Sequence, residues 1–246
     1  MNKGKTMNER GKNTKKGKLE IQRDPYDPFV PANARAIILG STPPARFCLP
    51  SDLTLHPRDI DWFYGSCDRG CNTFWEAMFR VFDHDSLTEL NSLRDFELPR
   101  EEKTRRQRSF LQNLLTARKL GIMDILESFE RRDGSSADSE LKPLTFRDPL
   151  PFLRDAPDVS AFCCTSLHKV HTWLGKSLAR HGIQLEERGG EFCFQMKDNN
   201  AKPRLVWVYR LPSPSPIGRI RFPNHQAWME NLVSEYRRIF AQAGVS

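Results

Sequence analysis

Four short apolar runs, each bounded by turn-forming residues, limit most narrowly how this chain folds. Arg35-Ala36-Ile37-Ile38-Leu39 ends in Gly40-Ser41-Thr42-Pro43-Pro44, and Leu205-Val206-Trp207-Val208-Tyr209 runs into Leu211-Pro212-Ser213-Pro214-Ser215-Pro216. Ile122 to Leu126 and Val159-Ser160-Ala161-Phe162-Cys163-Cys164 are the other two. Runs that are apolar at nearly every position belong to strands covered on both faces, because a strand with one wet face alternates instead. Between them lie segments with helical spacing: Phe74, Trp75, Met78, Phe79 and Phe82 after Asn72, then Phe110, Leu111, Leu114 and Leu115 in a stretch from about 100 to 119 that stops at Gly121. Ser166 reads as the cap of a helix carrying Leu167, Val170, Leu174 and Leu178, and a last helix carries Trp228, Leu232, Tyr236, Ile239 and Phe240. Strands alternating with helices predict a three-layer α/β/α sandwich around a central, mainly parallel, four-stranded sheet. Ligands of such sheets bind beyond the carboxyl ends of the strands, so the loops 40–44 and 211–216 are the first places to look for function.

The charge of the chain is unevenly placed. Lys and Arg total 38 against 31 Asp and Glu, a net +7, which suggests a polyanionic partner. Residues 1–18 hold seven of the basic residues against Glu9 alone, so the rest of the chain is nearly neutral. We expect a basic, unstructured arm over 1–24, either touching nucleic acid non-specifically or merely solvated, ahead of one folded domain over 25–246. No apolar stretch follows the basic residues as it does in a secretory signal, and none reaches the roughly 18 residues of a membrane span. A monomeric, cytoplasmic protein without membrane contact is therefore expected. The six cysteines, Cys48, Cys67, Cys71, Cys163, Cys164 and Cys193, are too sparse and irregular for a disulfide framework and read as reduced, mostly buried thiols. Neither Cys67 with Cys71 nor Cys163-Cys164 with His168 and His171 has the paired spacing of a zinc site, so no metal is expected.

Three stretches have the chemistry to bind or react. In 211–216 three prolines stiffen a loop that offers two serine hydroxyls and serine amides, with Arg210, Arg219 and Arg221 on either side; it suits a phosphate backbone, and equally reads as a proline-rich surface turn. Gly40-Ser41-Thr42-Pro43-Pro44 has one glycine, too few for a nucleotide-phosphate loop, yet it could present backbone amides to a base or an anion. Asp61-Trp62-Phe63-Tyr64-Gly65 and Cys71-Asn72-Thr73-Phe74-Trp75 are rich in aromatics that either stack on a nucleobase or fill the core, and Asn72 either caps a helix or acts in catalysis. Ser166 and His168 are a nucleophile and base by residue type, but the strained Gly-x-Ser-x-Gly turn of serine hydrolases is missing, and capping accounts for Ser166.

Taken in order, these stretches resemble the uracil-DNA glycosylase superfamily, and within it the hypoxanthine-DNA glycosylase-like branch. Leu39-Gly40-Ser41-Thr42-Pro43 is similar to that branch's Gly-Ser-Met-Pro strand end, and Phe63-Tyr64-Gly65 through Asn72-Thr73-Phe74-Trp75 to its Tyr-Tyr-Ala-His-Pro-Arg-Asn-x-Phe-Trp motif. Gly121-Ile122-Met123-Asp124-Ile125-Leu126 with Glu130-Arg131-Arg132-Asp133-Gly134-Ser135 is similar to its Gly-Ile-(x)-Trp-Asp-Val and Glu-Arg-x-Gly-Ser segment, and 211–216 to its Leu-Pro-Ser-Thr-Ser-Pro loop. The chain departs from the pattern between Tyr64 and Asn72, where Gly65 to Cys71 is longer than Ala-His-Pro-Arg and lacks the His-Pro.

The resemblance implies a uracil-DNA glycosylase-like fold and a monofunctional enzyme that needs no cofactor. Its partner would be DNA carrying a deaminated base, hypoxanthine or uracil. Such an enzyme flips the nucleotide out of the stack before cleaving the N-glycosidic bond. By the same resemblance Asn72 orients the attacking water, Tyr64 stacks on the base, and Gly40, Ser41 and Thr42 face its edge. Ser213, Pro214 and Ser215 grip the backbone, Ile217 or Arg219 fills the vacated stack, and Arg221 adds charge. A non-catalytic nucleic-acid-binding relative of the same fold is the alternative, distinguished by whether a free base is released.

Overall fold

The computed structural model describes residues 19–49, 55–67, 71–95, 97–132, 138–197 and 202–245. In chain order these form β1 (Leu19–Arg23), β2 (Ala36–Gly40), α1 (Phe74–Phe82), α2 (Leu87–Asp95), α3 (Arg100–Ala117), β3 (Leu120–Asp124), β4 (Leu126–Arg132) and β5 (Leu141–Phe146). There follow α4 (Leu150–Asp155), β6 (Ala161–Cys164), α5 (Val170–Ala179), β7 (Glu186–Arg188), β8 (Glu191–Lys197), β9 (Pro203–Arg210) and α6 (His225–Gln242). No helix among the described residues is long and apolar enough to cross a membrane.

The main sheet has the order β3-β2-β6-β9-β8-β7. Its first four members are the four apolar runs, all mutually parallel. Side chains alternate between two cores, as the pleat requires. Ala36, Ile38, Leu120, Ile122, Ala161 and Cys163 face a layer that includes α1, α3 and α6 through Phe74, Phe79, Leu115 and Tyr236. Ile37, Leu39, Met123, Phe162, Cys164, Val206 and Val208 face the other side, where Leu153 of α4 and Leu174 and Leu178 of α5 cover them.

The sheet is larger than the four parallel strands expected. β8 and β7 extend it antiparallel beyond β9, making a six-stranded mixed sheet. Gly189 and Gly190, both at positive φ (61° and 84°), form the turn that joins them, a conformation that costs glycine little. Glu186, Glu187 and Arg188 of β7 are all exposed, so only backbone pairing marks this strand. A second sheet, β1-β4-β5, is antiparallel and sends Phe129 and Leu141 into the core shared with α4 and α5.

Two expected boundaries move. Residues 19–23, placed in the arm by charge, pair with β4, because an open strand edge binds backbone whatever the side chains; residues 1–18 lie outside the described residues. The helix assigned to Ser166 starts at Val170, and the Ser166 hydroxyl instead accepts from the Lys169 amide in the preceding turn (3.2 Å).

Candidate active site

Strand register decides which groups meet at the carboxyl edge. Gly40 ends β2 opposite Asp124 of β3, and Leu39 lies opposite Cys164 of β6, itself opposite Arg210 of β9. From β2 the chain next enters the sheet on one side, at β3, and from β6 it continues on the other, toward β9. The gap between strands that diverge in this way is where open α/β sheets form their binding crevice.

Tyr64 spans that gap. Its ring stacks on Phe74 at 4.1 Å between centroids, and its hydroxyl meets Thr165 Oγ1 at 2.8 Å. The Thr165 hydroxyl donates to Leu39 O (3.3 Å), which leaves the Tyr64 proton as the one shared between the two oxygens. Tyr64 has φ 55°, a left-handed conformation unfavourable for an aromatic residue and common where a site holds its backbone under strain. The turn beneath it closes through Ile60 N–H to Gly65 O (2.9 Å) and Gly65 N–H to Trp62 O (3.1 Å). Gly40 must be glycine, since a Cβ there would lie 2.1 Å from Asp124 Oδ1 and 2.5 Å from the Tyr64 hydroxyl oxygen.

Charged groups without a role in the sequence reading surround these residues. Asp124 is 4% exposed, and burial first, then the Asp24 charge, pushes its carboxyl well above the usual carboxylate range. Asp24 itself rises to about 6 through burial, despite its ion pair with Arg147 (2.8 Å). Arg131 is buried and donates to Pro43 O (2.6 Å) and Thr42 Oγ1 (3.4 Å), which ties β4 to the loop 40–44. Among the described residues its Nε and Nη1 have no hydrogen-bond partner, and burial lowers its pKa. The carbonyls of Gly40 and Ser41 are taken by the amides of Ile125 (3.0 Å) and Leu126 (3.2 Å).

Asn72 precedes α1. Its amide donates to Ser66 O (2.7 Å) and its Oδ1 accepts from Phe74 N (2.9 Å), so the side chain is held in a capping turn. Thr73 donates from both its amide (3.3 Å) and its hydroxyl (2.9 Å) to Pro214 O, which docks the start of α1 onto the serine-proline loop. Asn72, Tyr64 and the loop 211–216 thus share one neighbourhood. Asp59, buried at 7% exposure, organises the segment before Asn72: it pairs with both Arg46 Nε and Nη2 (2.8 Å each) and accepts from the amides of His56 (2.8 Å) and Cys67 (2.7 Å). The same segment overturns one expectation. Cys67 and Cys71 are joined as a disulfide, because the Asn72 amide bond to Ser66 closes the loop and brings them together; residues 68–70 lie outside the described residues. Cys48, Cys163, Cys164 and Cys193 are free.

In the serine-proline loop, Pro214 is buried, and Tyr236 donates to Pro212 O (3.1 Å). Ser213 Oγ accepts from Ser215 N (3.3 Å). The chain then makes a 3-10 turn, Pro216–Arg221, whose Arg219 and Arg221 are exposed and whose Ile220 is 82% exposed; the side chain of Ile217 lies outside the described residues. Arg210, read as a flank of this loop, bonds Gly190 O (3.1 Å) and lies over the Phe192 ring instead. Ser166 Oγ accepts from the backbone amides of His168 (3.4 Å) and Lys169 (3.2 Å), the bonding of a turn. The segment 133–137, with Asp133, Gly134 and Ser135, lies outside the described residues.

The resemblance singled out Gly40, Tyr64, Asn72 and the loop 211–216, which the residue pattern alone left open, and neither gave a role to Asp59, Asp124, Arg131 or Thr165. The signals available for these were the end positions of Asp124 and Thr165 beside apolar runs, and the charge of Arg131 within a strand-like segment. No family model matches the chain, and no curated protein does. Among solved structures, the chain is similar to a solution NMR structure from Methanosarcina acetivorans provisionally named a uracil DNA glycosylase, at 19% identity and a TM-score of 0.49, over 89% of this chain and 99% of that one.

Proposed function

We propose that the protein is a monofunctional DNA glycosylase that flips a deaminated base, hypoxanthine or uracil, out of DNA and hydrolyses its N-glycosidic bond. The observation that carries this reading is the convergence of four distant stretches on one sheet edge. Gly40 meets Asp124 and Tyr64, Arg131 holds the loop after Gly40, and the start of α1 beside Asn72 is docked on Pro214. An aromatic ring beside a loop at the carboxyl edge of the sheet suits a flipped base.

The parts divide the work. Ser213 and Ser215, on a loop stiffened by prolines, hold the phosphates, while buried Pro214 anchors that loop and does not reach DNA. Among described residues the exposed apolar tip is Ile220, between Arg219 and Arg221, so Ile220 fills the vacated stack and the two arginines hold the backbone beside it. Tyr64 and the loop Gly40 to Thr42 receive the base. Asn72, fixed by its bond to Phe74 N, keeps one Oδ1 lone pair and its Nδ2 for the water. The transition state resembles an oxocarbenium ion, for which a placed water matters more than a strong nucleophile.

The test is alkali-revealed abasic-site formation on duplexes bearing hypoxanthine, uracil or xanthine. We expect release from at least one, and a loss of about 100-fold in Asn72→Ala, the scale for removing one placed polar group from a transition state. Tight binding to an abasic duplex with no base released would make the protein a non-catalytic DNA binder, the reading favoured by the capping role of Asn72.

A further inference from the structure

Seven residues, Gly65 to Cys71, separate Tyr64 from Asn72. The described ones, Gly65 to Cys67 and Cys71, belong to no helix or strand, so their placement depends on bonds from elsewhere in the chain. The buried pair of Asp59 and Arg46, whose side chains are 1% and 15% exposed, supplies them. The Asp59 carboxylate accepts four hydrogen bonds, about as many as its two oxygens can take. Oδ2 accepts from Arg46 Nε and the His56 amide (2.8 Å each), and Oδ1 from Arg46 Nη2 (2.8 Å) and the Cys67 amide (2.7 Å). Arg46 Nη2 also donates to Ser66 Oγ (2.7 Å). Ser66 O in turn receives the Asn72 amide (2.7 Å), and Cys67 is bonded to Cys71, the residue before Asn72. Two routes, through Ser66 and through Cys67, thus run from the ion pair to Asn72.

We propose that Asp59, acting with Arg46, is the positioning residue for Asn72: it sets the backbone from which Asn72 presents its side chain to the water. The proposal rests on the glycosylase reading and on the role given there to Asn72. Asn72 is held on its downstream side by the bond from Phe74 N to its Oδ1, and on its upstream side by Ser66 O. With both holds in place, the remaining Oδ1 lone pair and Nδ2 keep one direction. Without the upstream hold the residue turns about its bond to Phe74 N. A displacement of about 1 Å costs about 100-fold in rate even when the changed residue is remote from the chemistry. A buried ion pair contributes little net stability, because taking both charges out of water offsets their attraction. It does fix direction, since a guanidinium fork and a carboxylate fit together in one arrangement.

Asp59→Asn keeps the shape of the side chain but has a single acceptor oxygen. Whichever way its amide is turned, Nδ2 faces two donors, either Arg46 Nη2 and the Cys67 amide or Arg46 Nε and the His56 amide, so two of the four bonds are lost. Arg46→Lys is the milder change. It keeps a positive charge beside Asp59 and gives up the fork that reaches both carboxylate oxygens and Ser66 Oγ. A residue that acts through Asn72 has no further effect once the Asn72 side chain is removed, whereas one that merely supports the fold has the same effect with or without it.

The experiment is a double-mutant cycle on single-turnover base release, at saturating protein, from duplexes bearing hypoxanthine, uracil or xanthine, with affinity for an abasic duplex measured alongside. We expect Asp59→Asn and Arg46→Lys each to slow release at least about tenfold, with abasic-duplex affinity within about threefold of the original. In the Asn72→Ala background, either change should slow release further by less than about threefold. Thermal melts identify a variant that does not fold, and if Asp59→Asn is one, the cycle with Arg46→Lys decides. Release by the folded variants within about threefold of the unsubstituted rate overturns the positioning role and leaves the glycosylase standing. So does an equal loss with and without the Asn72 side chain, or an equal loss of abasic-duplex affinity. Release by Asn72→Ala at the unsubstituted rate removes the role of Asn72 and this proposal with it. An unsubstituted protein that releases none of the three bases overturns the glycosylase reading as well.

Discussion

Gly40 shows how much one residue decides at this site. Its missing side chain lets the Asp124 carboxyl and the Tyr64 hydroxyl close over the end of β2, and the nearest of those atoms is an oxygen on a carboxyl with little room to retreat. In Gly40→Ala the added methyl must displace both groups. We expect a loss of about 1–3 kcal/mol in chemical denaturation, the usual cost of overpacking, together with loss of base release. An alanine variant as stable as the original would mean that the crevice yields more readily than its packing implies. Tyr64 makes the complementary point, since its left-handed backbone is held by the Ile60–Gly65 turn, the Phe74 ring and Thr165 rather than by any preference of its own.

At the scale of elements, the short 3-10 turn Pro216–Arg221 differs from everything around it. The loop before it is anchored by Thr73 and Tyr236, whereas Arg219, Ile220 and Arg221 all face solvent. An exposed isoleucine contributes little to folding, so Ile220→Ala should leave the thermal midpoint unchanged within the equivalent of about 0.5 kcal/mol. Its effect should fall on the flipped complex. We expect slower base release at sub-saturating DNA, relieved in part when the target base is mismatched and costs less to extrude. Equal rates for the two proteins on paired and mismatched targets would remove Ile220 from the wedge.

Across the whole molecule, the buried carboxyls tie stability to pH. The folded-state pKa of Asp24 is about 6 and that of Asp124 is also raised, both above the ordinary carboxylate range. The native state therefore holds more protons than the unfolded chain above about pH 4, and stability falls as pH rises through this window. Asp124→Asn removes the Asp124 share while keeping a similar shape. By differential scanning calorimetry, the melting temperature of Asp124→Asn minus that of the unsubstituted protein should grow from pH 5 to pH 8. A difference that stays constant or shrinks would mean that the Asp124 carboxyl is not held protonated in the fold. Charge at this scale bears on the function proposed above. Most of the excess of +7 lies in residues 1–18, so under that proposal the nearly neutral body would hold DNA through a few placed groups, Arg219 and Arg221 among them.

The four parallel strands and four of the helices that cover them, α1, α3, α5 and α6, were legible in the sequence, because burial on both faces writes an unbroken apolar run and a covered helix writes its period of 3.6; the six-residue α4 is too short to show that period. β1, β7 and much of β4 and β5 were not, since they are polar strands held by backbone pairing at sheet edges, where side chains carry little information. The candidate site divides in the same way. Gly40, Tyr64, Asn72 and the serine-proline loop stand in local patterns of turn, aromatic and proline residues, whose order carries the resemblance that marks them. Asp124, Arg131, Asp59 and Thr165 acquire their roles from partners far away in the chain, through the pairing of Gly40 with Asp124, the reach of Arg131 to Pro43 and the hold of Asp59 on Arg46. Local sequence dictates the backbone states of short segments. Which buried groups come together is fixed by strand register and packing, which exist only once the whole chain has folded.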